Sequence, residues 1–329
     1  MAGVVVIFWG KTTLYVMILN SAALAVAEEP GVEARALAYL SREVPRWRPE
    51  NHCFSCHNNG DAARALYQAA RLGEPIADAT LGETTDWLER PERWEHNGGE
   101  GPFSDKVLAR IQFAASLADA VDSGRSKDRG ALTRAADQVA GDQSGDGSWR
   151  VDVEGNVGSP ATYGPVLATV MACRSLRAAD LQRFTTPLDR ADRWLRKTPV
   201  RSVLDAAAVV LGLVDENDPD AVAQRRRALD LIGRSEASRG GWGPFLNAPA
   251  EPFDTAMVLL ALARCRDEEF PGRSEAIRRG RAYLAAVQRP DGSWAETTRP
   301  PDGESYAQRL STTGWALQAL LATRAVNAK

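Results

Sequence analysis

The chain is poor in the residues that usually announce a chemistry. It has 4 cysteines, 3 histidines and 4 methionines in 329 residues. Four cysteines are few for a secreted fold that depends on disulfides, and a core of this size needs no such staples. Lysine plus arginine (40) nearly balance aspartate plus glutamate (43). No basic block interrupts that balance, which argues against a nucleic-acid partner. No phosphate loop, nucleophile elbow or metalloprotease signature is present. Past residue 27 no apolar run is a plausible membrane span. What remains, 44% hydrophobic and 25% charged residues, fits a globular chain of one large domain or two ordinary ones.

The first 27 residues differ from the rest. Lys11 is followed by an uncharged stretch that ends in Ala25-Val26-Ala27, just ahead of Glu28-Glu29-Pro30. An apolar core before a small-residue site reads as a secretory signal cut after Ala27. The expected mature domain is therefore 28–329, secreted or periplasmic. An uncleaved N-terminal membrane anchor is the alternative, because the stretch could nearly span a bilayer.

The positive signal is repetition. The turn Arg289-Pro290-Asp291-Gly292-Ser293-Trp294 recurs as Gln143-Ser144-Gly145-Asp146-Gly147-Ser148-Trp149 and, degraded, as Gly240-Gly241-Trp242-Gly243. A helix precedes each turn and another follows it. A period of a few tens of residues signals units that bury their apolar faces only against one another. Residues 187–196 with 203–214 supply a copy lacking the turn. Residues 84–93 with 105–121, and 32–46 with 62–72, add two more pairs, making six helical hairpins. The second helices, such as Ala206-Ala207-Ala208-Val209-Val210-Leu211, are apolar nearly all round, as helices surrounded by other helices are. First helices such as 276–287 are amphipathic, with Arg278, Arg279 and Arg281 expected outward. The expected fold is all-α: an (α/α)6 toroid of six hairpins, with an inner ring inside an outer ring.

The turn resembles the QW motif of triterpene cyclases such as squalene-hopene cyclase, in which a Gln amide and a Trp ring tie helix ends together. The resemblance spans roughly residues 84–325 and extends to the prenyltransferase repeats. It implies the toroid, and with it a terpenoid (squalene or polyprenyl) cyclase-like or prenyltransferase-like enzyme holding an apolar ligand. Asp254-Thr255-Ala256 resembles the end of the Asp-x-Asp-Asp-Thr-Ala motif with which class II cyclases protonate a double bond. Carried over by position, the motif puts its first acid on Glu251, its catalytic acid on Phe253 and its last acid on Asp254. The protonating position is thus apolar, and Asp254 is left as the candidate catalytic residue. Prenyltransferase zinc ligands are not matched, since no histidine lies beyond His96.

The sharpest chemical signal is the loop 51–60, Asn51-His52-Cys53-Phe54-Ser55-Cys56-His57-Asn58-Asn59-Gly60, which contains the Cys-x-x-Cys-His pattern of c-type haem attachment. On one helical turn, positions i, i+3 and i+4 share a face. Cys53 and Cys56 could then bond the haem vinyl groups while His57 ligates the iron. His96 is the best candidate for the sixth ligand. The leading expectation is thus an exported haem c-binding redox module on a toroid, with a redox partner protein and an apolar cavity ligand. Beside it stand a non-catalytic scaffold with a Cys53-Cys56 disulfide, and zinc held by His52, Cys53, Cys56 and His57. The inner helices are expected to open with Asp61, Asp105, Thr162, Asp205, Asp254 and Thr312 as caps around one mouth, which also receives the 51–60 loop.

Overall fold

A computed structural model of the chain describes residues 31–96, 105–151, 159–299 and 305–324, with the side chains of 159–161 excepted. The segment 1–27, expected to be a secretory signal, and the glycine-rich loop at 98–103 lie outside these residues. Gly31–Lys329 forms one compact unit. Twelve helices among the described residues form the six hairpins: α1 (Val32–Asn51) with α2 (Ala63–Arg71), α3 (Asp78–Leu88) with α4 (Lys106–Asp122), α5 (Arg129–Gly141) with α6 (Ser159–Asp180), α7 (Thr185–Leu195) with α8 (Val203–Leu213), α9 (Pro219–Arg234) with α10 (Pro252–Arg264), and α11 (Arg273–Val287) with α12 (Tyr306–Ala322). Each even-numbered helix touches the next, and α12 returns to α2, so the inner ring closes. This is the expected (α/α)6 toroid. No described helix is long and apolar enough to cross a membrane.

The repeated turn is a clasp with a common construction. The indole Nε1 of Trp149, Trp242 and Trp294 donates to the carbonyls of Val139, Ile232 and Leu284 in the preceding outer helix, at 2.6, 2.9 and 2.8 Å. The backbone N–H of each same tryptophan donates to Oγ1 of Thr169, Thr255 or Thr313 on the following inner helix. Gln143 Nε2 donates to the carbonyls of Gly147 and Pro187, and Gln288 Nε2 to those of Gly292 and Val32. The Trp149 and Trp294 turns are thereby tied to the next outer helix, and the Gln288 clasp joins the last hairpin to the first.

Two expectations about faces need correction. Arg281 does not point outward: its guanidinium donates to the Leu320 carbonyl, Thr323 Oγ1 and Glu33 Oε1, bracing α11 against α12 and α1. Of the six expected caps, Asp105 accepts from Leu108 N as a cap does, whereas Ser202 caps α8 with Asp205 as its capping-box partner. α12 starts at Tyr306, capped by Ser305, so Thr312 is inside it. Asp61 lies within a π-helical segment, Cys56–Ala62.

Candidate active site at the toroid axis

The inner helices run parallel and in register, and side chains two turns apart demonstrate it. Asp61 accepts from Gln112 Nε2 at 2.8 Å, from Ser311 Oγ at 2.6 Å and from the Tyr163 hydroxyl. Seven residues further along three of these helices, Gln68 donates to Asp119 Oδ2 at 3.3 Å and to Gln318 Oε1 at 3.0 Å. Seven residues of α-helix rise about 10.5 Å. Two polar layers therefore cross the axis, and Arg64 and Trp315 lie between them, the guanidinium 4.7 Å from the ring centroid.

The upper layer belongs to the mouth that receives the Cys-x-x-Cys-His stretch. Burial raises the Asp61 carboxyl above its ordinary value; Arg64 and the hydrogen bonds from Ser311, Tyr163 and Gln112 oppose this without cancelling it. Tyr163 reaches Asp61 from just ahead of the kink at Gly164. The π-helical segment is fastened from three sides. Asn58 Nδ2 donates to the Val44 carbonyl, Asn59 Nδ2 to Thr84 Oγ1, and Ser116 Oγ to the Asn59 carbonyl. π-helical turns recur at functional sites. Reading the sequence placed Asp61 only as a helix cap; its real signal is the uncharged polar run Asn58-Asn59-Gly60 just ahead of it, at the start of an otherwise largely apolar inner helix.

The Cys-x-x-Cys-His residues are not arranged on one helical turn. Phe54 turns inward and stacks on Trp87 at 4.2 Å between ring centroids. Ser55 is extended, and its hydroxyl accepts from His57 N. Helix therefore begins only at Cys56, which leaves Cys53 off it. Cys53, Cys56 and His57 are each partly exposed. Burial pushes the His57 imidazole down to about 4, which keeps it neutral and able to ligate. His57 lines a recess with Thr162, Tyr163, Thr297, Gln308, Ser311 and Thr312 that encloses about 10 Å³. Small-molecule pockets are typically ~300–1,000 Å³. The donor set fits covalent haem in chemistry, and the recess does not fit it in size. His96 is exposed and does not line the recess. Among the described residues no disulfide joins Cys53 to Cys56, and no three His, Cys, Asp or Glu side chains converge on a metal position. The zinc set is thus not assembled.

Asp254 is brought to the same end but is differently engaged. Its Oδ2 accepts from Arg299, while its Oδ1 is buried without a hydrogen bond. Burial pushes the carboxyl up to about 7 despite Arg299. The folded form thus keeps a proton that the unfolded chain, near 3.9, releases, so this group favours folding at low pH and loses that contribution as pH rises from 4 to 7. The difference in unfolding free energy between the protein and Asp254→Asn is expected to shift by about 2 kcal/mol from pH 5 to pH 7; parallel urea midpoints at the two pH values would contradict it. Thr255 explains the rest of the Asp-Thr-Ala resemblance. It occupies the clasp position shared by Thr169 and Thr313, so this threonine belongs to the repeat. The same register sets Phe253 level with Ser311, and Ser311 bonds Asp61. The carboxyl at the height of Phe253 is therefore Asp61, in the π-helical segment that leads into α2.

No protein-family model and no curated protein matches the chain. Solved structures do. A type II terpene cyclase from Scytonema has a TM-score of 0.56 at 14% identity, covering 90% of this chain and all of the other. An ent-copalyl diphosphate synthase from Streptomyces platensis has a TM-score of 0.54 at 20% identity, covering 80% of this chain and 50% of the other. The fold is the terpene-cyclase toroid. A glycosidase in complex with glucose shares it, with a TM-score of 0.52 at 16% identity and cover of 90% and 98%. One toroid thus serves unrelated chemistries, and function has to be argued from the site.

At the far end of the axis the inner helices surround a well of about 340 Å³, lined by Val170, Met171, Leu211, Leu260 and Trp315 together with Arg64, Gln68, Arg174, Arg177, Arg264 and Gln318. Its apolar side suits a hydrocarbon chain. Gly314 shows how closely the inner elements approach on the axis: a Cβ there would stand 2.7 Å from the Asp61 carbonyl oxygen.

Proposed function

We propose that the protein takes an isoprenoid-class apolar ligand into the axial well, and that Asp61 is the acid that acts on it, as in a terpenoid cyclase. The supporting observation is an axial carboxyl at the height of Phe253, raised by burial and held by Tyr163, Ser311 and Gln112. A type II terpene cyclase from Scytonema has been captured with geranylgeranyl dihydroxybenzoate. Protonating an alkene breaks the Asp61 O–H bond and forms a C–H bond, leaving a carbocation that closes a ring and then loses a proton to water. A strong, positioned acid is the main requirement. Trp315 and Arg64, one helical turn along from Ser311 and Asp61, border the well, so the reaction calls for the Trp315 ring to turn aside.

Two readouts separate binding from chemistry. Farnesol or geranylgeraniol is expected to quench Trp315 fluorescence, and Trp315→Phe to lose that signal. Cyclised product is expected by mass spectrometry from the protein and at least 100-fold less from Asp61→Asn, which still binds. Quenching without product reduces the protein to a carrier, and no quenching removes the reading.

The second reading is covalent haem on Cys53 and Cys56 with His57 as iron ligand, favoured by the Cys-x-x-Cys-His spacing of three partly exposed donors and a neutral imidazole. When bound, haem c would supply one-electron chemistry to a redox partner protein after export; the chain's part is to present two accessible thiols and an imidazole. Expression in a host competent for haem maturation is expected to yield a c-type haemochrome band and a mass increase abolished in the Cys53→Ser, Cys56→Ser double variant. A colourless protein of unmodified mass sinks this reading.

A further inference from the structure

The chemistry of the well is uneven in a way that specifies one end of its ligand. No carboxylate lines it; its charged groups are Arg64, Arg174, Arg177 and Arg264. Arg177 is held by Asp192 at 3.0 Å and Arg264 by Asp215 at 3.2 Å. Both stand in the last turn of their helices, where a cation also meets the partial negative charge of the helix end. Those two need no further explanation.

Arg64 and Arg174 are different. Both converge on one carboxylate, Asp119, with Arg64 Nε at 3.0 Å from Oδ2 and Arg174 Nη2 on Oδ1. Burial raises Asp119, but Arg174 and Arg64 outweigh it and hold the carboxyl below its ordinary value, so it is ionised. Two guanidinium ions thus share one negative charge. Asp61 balances the second only weakly, since its nearest oxygen is 4.0 Å from Arg64 Nη1 and its two oxygens accept instead from Tyr163, Gln112 and Ser311. Arg64 is 3% exposed, and its Nη1 is buried without a hydrogen-bond partner. A buried polar atom left unsatisfied is costly, more so on a charged group, and a positive surplus inside a protein calls for an anion. Neither Arg64 nor Arg174 is in a final helical turn, so helix dipoles do not supply it.

We propose that the well takes an acidic amphiphile, with its carboxylate or phosphate head held by Arg64 and Arg174 and its hydrocarbon chain laid along Leu211, Leu260 and Trp315. This rests on the well being a ligand site, as argued above, and adds the head group. Guanidinium forks suit both head groups through paired N–H···O bonds. Gln318, whose amide spends one N–H on the Gly314 carbonyl, offers a further donor.

The test uses the full chain and three probes of one chain length: dodecanoate, dodecyl phosphate and dodecanol, titrated below their micelle concentrations and followed by Trp315 fluorescence. At least one acid is expected to bind tenfold or more tighter than the alcohol, and whichever acid wins identifies the head group. Arg174 lies at the rim, 38% exposed by its side chain, so Arg174→Met is the variant of choice. It is expected to collapse the acid-over-alcohol preference to within threefold, and Arg174→Lys to restore part of it. Equal affinity for all three probes overturns the head-group assignment while leaving the well as a site. Binding of none overturns both.

Discussion

Asp119→Asn is expected to lose about 3–5 kcal/mol of stability, the usual cost of removing one partner from a buried ion pair, read as a lower urea midpoint at unchanged slope. The carboxylate is 3% exposed and meets Arg64, Arg174 and Gln68. The amide keeps its shape but not its charge, so two guanidinium groups are left facing each other across a neutral group. Arg174→Met should lose less, since its side chain is 38% exposed, and the double variant should lose less than the two single losses added together. Additive losses would mean that the three groups do not act as a unit. An acidic ligand that bridges Arg64 and Arg174 should recover part of the Asp119→Asn loss.

Gly292→Ala should lose about 3 kcal/mol, through both backbone strain and overpacking. Gly292 has φ 92, and a Cβ there would stand 2.3 Å from the Arg35 carbonyl oxygen. Side chains rarely adopt that φ, and the carbonyl is backbone, so the contact is relieved only by moving α1 away from the α11 turn. That contact closes the toroid. Gly147→Ala, 2.4 Å from the Arg190 carbonyl oxygen, tests the same clasp between α5 and α7 and should behave alike. Gly82→Ala is the control, with open space around its added methyl; replacing a helix glycine there should gain up to ~1 kcal/mol. Three equal changes would show that the clasp carries no strain.

Much of the fold was legible because the repeat writes itself six times. The Trp149, Trp242 and Trp294 turns and the apolar second helices are local patterns, each readable within a few tens of residues. Pro187 and Val32 were not legible as partners of Gln143 and Gln288, although the resemblance implied a tie between neighbouring helix ends. The site was less legible for a definite reason. Asp254 drew attention through a motif whose threonine turns out to serve the clasp. Asp61 looked like one cap among six, because nothing in residues 56–62 says that Gln112, Tyr163 and Ser311 meet there. The Cys-x-x-Cys-His pattern was plain in the sequence, but its helical geometry failed locally: Phe54 gains more by stacking on Trp87 in the core than by standing on a turn with Cys53.

The sequence by itself determined the hairpins, their number and their nesting, since apolar periodicity and turn chemistry act over short stretches of chain. Only the tertiary structure decided which polar groups lie on the axis and which charge among them is left uncompensated. Gln68 and Gln318 are 250 residues apart, as are Asp61 and Ser311. Whether a buried charge is balanced depends on what the other hairpins bring within a few ångströms of it, and that is fixed only when the ring closes.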